Sequence, residues 1–172
     1  MHDFRWTVMG LVGAAGLWLA AVSSTPAMPA LVGQDMGPEI TELEAYVSAH
    51  PEDPIALIQL SHAYLDHAAP GLAEAALDRA SPEIRELPSV GDARARTLWA
   101  LGRAEIALDV QRGVLDACRS STCSYDVLGK GQHRERMLAE LVRLGIDDPK
   151  TDPSLAFVAY QRSTRQVSLD LR

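Results

Sequence analysis

Laid over itself at an offset of 34 residues, the middle of this chain matches in kind, and that recurrence narrows the possible folds more than any other feature. Pro54 falls on Pro88, Ser61 on Ala95, Tyr64 on Leu98, Ala68 on Gly102 and Ala73 on Ala107. Small residues recur where two helices would approach closely, and larger apolar ones where space would have to be filled. The match then decays, with Leu77 falling on Gln111 and Ala80 on Val114, so the second unit is degenerate. A unit this short cannot bury its apolar face alone and must stack on its neighbours.

Within and around the units the apolar period is helical. Ile40, Leu43 and Val47 predict a first helix from about Pro38 that stops at His50-Pro51. Asp53-Pro54 pairs an N-cap with a proline in the first turn, and Leu57, Leu60, Ser61, Tyr64 and Leu65 line one face of a second helix. Pro70-Gly71 breaks the chain before a third helix marked by Leu72, Ala73, Ala76, Leu77 and Ala80. Alanine and leucine contribute 25 and 22 residues, strong helix formers without β-branching, which favours an all-α fold of antiparallel hairpins joined by short links. Further on, Tyr125, Leu128, Met137, Leu138, Leu141 and Val142 predict a helix ending at Gly145, with Ile146 folding back as the apolar residue of its cap. Gly129-Lys130-Gly131 is expected to break the start of that helix. A last helix starts at Asp152-Pro153 and runs through Leu155, Val158, Ala159 and Arg162. Val167, Leu169 and Leu171 then alternate with polar residues, as an extended tail or a fraying helix end.

Leu57-x-x-Leu60-Ser61-x-x-Tyr64 followed by Ala73-x-x-x-Leu77-x-x-Ala80 resembles a tetratricopeptide repeat. Leu43 to Pro51 resembles the second helix and closing proline of a preceding half-repeat, and Leu98 to Ala107 the turn between the helices of the following one. The resemblance covers about residues 38–118 and implies a short right-handed superhelix, with 119–172 as a helical extension packed on it. Gly91 departs from the pattern, standing where the second unit would carry a large apolar residue; that unit would begin late or fuse its helices. Arrays of this family bind a peptide or protein partner in the groove lined by the first helix of each pair. Here that implies Ile58, His62, Leu65 and Asp66 from the first unit, with Arg96 and Trp99 from the second. The lysines and asparagines with which some members clamp a C-terminal carboxylate are missing from these positions. An apolar wall with one His, one Asp and one Arg suits a mixed, partly hydrophobic helix or loop. For Trp99 and Leu65, internal packing is the competing reading.

The N-terminal stretch reads differently. Thr7 to Val22 carries no charge and follows Arg5, as in a secretory signal, with small residues permitting cleavage after Ala27 or Ser23. An uncleaved anchor over residues 6–22 is the alternative at this length, and a cytosolic amphipathic segment a third. Residues 1–30 are therefore expected to direct export to the periplasm or anchor the chain at the outer side of the membrane, and the proline- and glycine-bearing stretch to residue 37 to act as a linker. Cys118 and Cys123, five positions apart, suit one disulfide in an oxidising compartment; two free thiols and a metal site are the alternatives.

No residue set announces catalysis, and neither a cofactor nor a metal is expected. Gly129-Lys130-Gly131 lacks the rest of a phosphate loop. His62 and His67 stand about 140° apart around a helix, too far to share a metal. Glu39, Glu42 and Glu44 favour the helix dipole at the start of the first helix. A net charge of −7 disfavours a nucleic-acid partner. That charge is unevenly spread: residues 31–90 hold eleven acids and two bases, residues 91–172 eleven acids and thirteen bases. The cluster Lys130, His133, Arg134, Arg136 and Arg143 would dock an acidic partner or lipid headgroups, or neutralise the acidic half across the array. The expected function is a non-catalytic protein-interaction module, an adaptor or assembly factor of the cell envelope. The alternative is a structural spacer, anchored to the membrane or occluded by its own tail.

Overall fold

The computed structural model describes residues 37–120 and 123–170, with backbone alone for 165–170. The targeting segment and linker expected before residue 37, and the last two residues of the tail, lie outside the described residues. Those described form eight helices and no strand, so the fold is all-α. They are α1 (Gly37–Ala49), α2 (Pro54–Asp66), α3 (Pro70–Asp78), α4 (Pro82–Arg85), α5 (Pro88–Ala100), α6 (Ala104–Ser120), α7 (Tyr125–Arg143) and α8 (Pro153–Asp170).

Local chemistry sets most of the starts. Five helices open on proline, whose fixed φ suits the first turn and whose missing N–H costs nothing there. Asp53 caps α2 by accepting from Ile55 N at 2.9 Å and Ala56 N at 3.2 Å. Ser124 does the same for α7 through Val127 N, and Asp152 for α8 through Leu155 N. The 34-residue offset is visible in the boundaries: α2 and α5 each span 13 residues from Pro54 and Pro88, while α3 and α6 start at Pro70 and Ala104. Their turns match atom for atom. Ala68 (φ 55°) and Gly102 (φ 73°) both adopt the left-handed conformation. Ala69 N then donates to Tyr64 O at 2.8 Å, as Arg103 N does to Leu98 O at 3.0 Å. The cap of α7 repeats the device, with Gly145 at φ 71°, Ile146 N donating to Leu141 O and the Ile146 side chain buried.

Packing passes from helix to helix. α1 lies on α2, α3 folds back on α2, α5 covers both α2 and α3, and α6, α7 and α8 follow in sequence. The buried apolar residues form successive clusters. Ile40, Leu60, Tyr64 and Ala73 join α1 to α3, and Leu57, Leu77, Val90 and Ala93 join α2, α3 and α5. Leu98, Ala107, Leu138, Leu141 and Ala159 join α5 to α8.

Three expectations change. Gly129-Lys130-Gly131 does not break α7, which begins at Tyr125 and runs unbroken through it. Gly131 is buried, and a Cβ there would sit 2.8 Å from Gln111 Nε2, so this glycine lets α7 approach α6 closely. Gly91 has the same role: its second unit neither begins late nor fuses its helices, and a Cβ would lie 2.6 Å from Val114 Cγ2. Finally, the alternation after Arg162 is no extended tail, because α8 continues to Asp170.

Candidate functional site

A groove of about 870 Å³ lies between α1 and α2. Helical spacing builds its two walls. On α2, Ile55, Gln59, His62 and Asp66 recur every three or four residues, and on α1 Glu39, the adjacent Glu42 and Leu43, and Tyr46 share one face in the same way. Ile40, Ala56 and Ala63 supply apolar floor. Ile55 is 67% exposed, an aliphatic side chain left in water beside a groove. Tyr46 stacks on His50 with ring centroids 4.3 Å apart, and its hydroxyl reaches Asp53 Oδ2 at 3.4 Å. On the opposite face of α1, Tyr64 of α2 donates to Glu44 Oε1 at 2.5 Å; burial and that carboxylate push the phenol up to about 12.

His62 marks the α5 side of the groove. Its Nε2 lies 2.9 Å from Arg96 Nη1. A guanidinium can only donate, so Nε2 accepts and the proton sits on Nδ1. Burial, then the Arg96 charge, lowers the imidazole below its usual value of 6.5, against smaller opposing pulls from Asp66 and Asp92. The ring is thus neutral near neutral pH.

Behind this face lies a buried polar network. Arg134 of α7 donates to Asp92 of α5 and, at 2.7 Å, to Gln111 Oε1 of α6; Gln111 Nε2 donates to Asp92 Oδ1 at 3.3 Å. Gly131, one turn before Arg134, admits the Gln111 amide. The network ties three helices together through groups that satisfy one another.

That pairing also redefines the basic cluster read from the sequence. Arg134 is buried against Asp92, Lys130 pairs with Asp126 at 2.7 Å and Arg143 with Glu140 at 2.8 Å. These acids belong to the same basic half, so the cluster neither presents five free cations nor neutralises the acidic half. Only Arg94 to Asp78 at 3.1 Å and Arg103 to Glu74 at 2.6 Å bridge the two halves among the described residues. Among the described residues, no lysine or arginine forms an ion pair with the acids of α1 and α2.

The six groove residues expected from the sequence fall in different places. His62 and Asp66 line the α1–α2 groove, and Arg96 meets His62. Leu65 and Trp99 both line a separate cleft of about 370 Å³, together with Pro70, Asp148, Pro149 and Lys150. The Trp99 indole N–H is buried without a hydrogen-bond partner among the described residues. Ile58 packs half-buried against the cluster around Leu57, Leu77 and Val90. The sequence does not single out Ile55, Gln59 or Tyr46, and marks Leu43 only as part of the apolar face of α1, although the three- and four-residue spacing from Ile55 along α2 carries the signal. Glu39 and Glu42 had been assigned to the helix dipole. Gln111 was visible only as the place where the 34-residue match decays; it and Leu77 are both fully buried, so a polar group occupies an apolar slot.

Cys118 near the end of α6 and Cys123 just before α7 are joined as a disulfide, with Cα atoms 5.3 Å apart. Among the described residues, no three His, Cys, Asp or Glu side chains are placed to hold a metal ion, and no helix is long and apolar enough to cross a membrane. No protein-family model, curated protein or solved structure matches the chain.

Proposed function

We propose that the chain is a non-catalytic, tetratricopeptide-like interaction module of the cell envelope that binds a peptide or helix of a protein partner, as an adaptor or assembly factor. The observation that carries the reading is the open α1–α2 groove, with an apolar floor, an exposed Ile55 and an acidic rim. Helix starts and left-handed turns that recur at 34 residues support the likeness to tetratricopeptide arrays. Export to an oxidising compartment is supported by two independent features, the uncharged run from Thr7 to Val22 and the Cys118–Cys123 bridge. Among the described residues, the C-terminal helix packs on α7 and contributes no residue to the lining of the groove.

The test is selection of binders from a displayed peptide library without charge bias, against the full chain. Selected peptides should lose at least about tenfold in affinity for Ile55→Arg, a change at an exposed site that disturbs no buried contact. An empty selection, or binders indifferent to that change, would overturn the proposal.

A further inference from the structure

Twice in the described fold a later helix packs on two successive helices and fills the groove they share. α5 covers α2 and α3, and α7 packs on α6 while touching α5. Each filling helix brings apolar side chains to a shared cluster, Val90 and Ala93 in the first case and Leu138 and Leu141 in the second. α1 and α2 are such a pair too, and among the described residues their groove holds no helix. Its dimensions suit one: both walls are 13 residues long, about 20 Å at the rise of an α-helix. Its floor is apolar, and its rim carries Glu39, Glu42, Asp53 and Asp66 with no lysine or arginine. Glu39, Glu42 and Asp66 make no ion pair among the described residues.

We infer that this groove takes an amphipathic α-helix of a protein partner that carries lysine or arginine on both sides of its apolar stripe. The inference rests on the interaction-module reading and adds to it the chemistry of the partner. The apolar stripe would cover Ile55 and Leu43 and complete the packing that α5 and α7 complete elsewhere. The flanking cations would meet Glu39 and Glu42 on one wall and Asp66 on the other. An anionic helix would instead bring like charges together on both rims, which sets the selectivity.

The experiment uses the full chain and two labelled peptides of about four helical turns. Both carry the same leucine stripe, one flanked by lysines and the other by glutamates, and binding is followed by fluorescence anisotropy. The lysine peptide should bind at least about tenfold more tightly, and the difference should shrink as salt rises from about 0.05 M to about 0.5 M. The double variant Glu39→Lys/Asp66→Lys should reverse the preference, and Ile55→Asp should weaken both peptides. All three positions are exposed, and retained far-ultraviolet circular dichroism would establish that each variant is folded. Equal affinity for the two peptides, or a preference unmoved by the charge reversal, would overturn the inference. If unbiased selection still yields groove binders in that case, the module stands and only its cationic partner falls. If neither selected nor designed peptides bind, both fall.

Discussion

Ala68 and Gly102 occupy the same left-handed turn 34 residues apart, yet only one is the residue that conformation favours. An L-residue with a Cβ is disfavoured in that region by about 1–2 kcal/mol, partly offset by glycine's greater freedom when unfolded. Ala68→Gly should therefore raise stability by up to about 1 kcal/mol, read as a higher urea midpoint. Asp92 and Arg134 present the opposite situation, with side chains only 15% and 10% exposed. Arg134→Met strands a carboxylate among packed helices and should cost about 3–5 kcal/mol. Asp92→Ala/Arg134→Ala should cost less than the sum of the two single changes, because each single change already breaks the same pair. His62 adds a pH dependence of defined sign. Its folded value lies below the ordinary 6.5, so the unfolded chain takes up the proton first. The stability that neutral His62 contributes is present above 6.5 and is lost as the pH falls below it toward the folded value. His62→Gln should flatten that part of the pH profile of the thermal midpoint. An unchanged profile would place the dependence on other groups.

At the scale of the helix, the glycines separate by what a Cβ would meet. Gly113 on α6 faces open space, so Gly113→Ala should stabilise by roughly 0.5–1 kcal/mol through helix propensity alone. Gly91 meets the stiff Val114 side chain, and Gly91→Ala should destabilise by about 1–3 kcal/mol. Opposite shifts in denaturant midpoint are the expected result. The same contrast explains what could be read in advance. The starts of α2 and α8 were legible because Asp53-Pro54 and Asp152-Pro153 act within a few residues. The close approach of α7 to α6 was not, because Gly131 is chosen by a side chain 20 positions earlier and a glycine judged locally looks like a break. The Gln111 anomaly was legible as a mismatch, but its partner Arg134 lies 23 residues on in another helix. The groove was half legible. His62 and Asp66 follow from the face of α2, whereas Glu39 and Glu42 serve a helix start and line a wall at once, and the pattern of α1 alone shows only the first. Leu65 and Trp99, expected in the same groove as His62 and Asp66, line a separate cleft.

At the scale of the molecule, the chain is electrically divided, and the division survives folding. Among the described residues, cations of the basic half pair with acids of that same half, while the acids around the apolar floor of the α1–α2 groove make no ion pair. The α1–α3 and α5–α8 clusters share no residue, so binding at α1 and α2 need not disturb α7 and α8. The most direct test is amide hydrogen exchange of the full chain with and without a selected or lysine-flanked peptide. Protection is predicted over Glu39 to Tyr46 and Ile55 to His67, with α7 and α8 unchanged. Protection confined to the Trp99 cleft or to α8, with α1 and α2 unaffected, would contradict a binding surface in the α1–α2 groove.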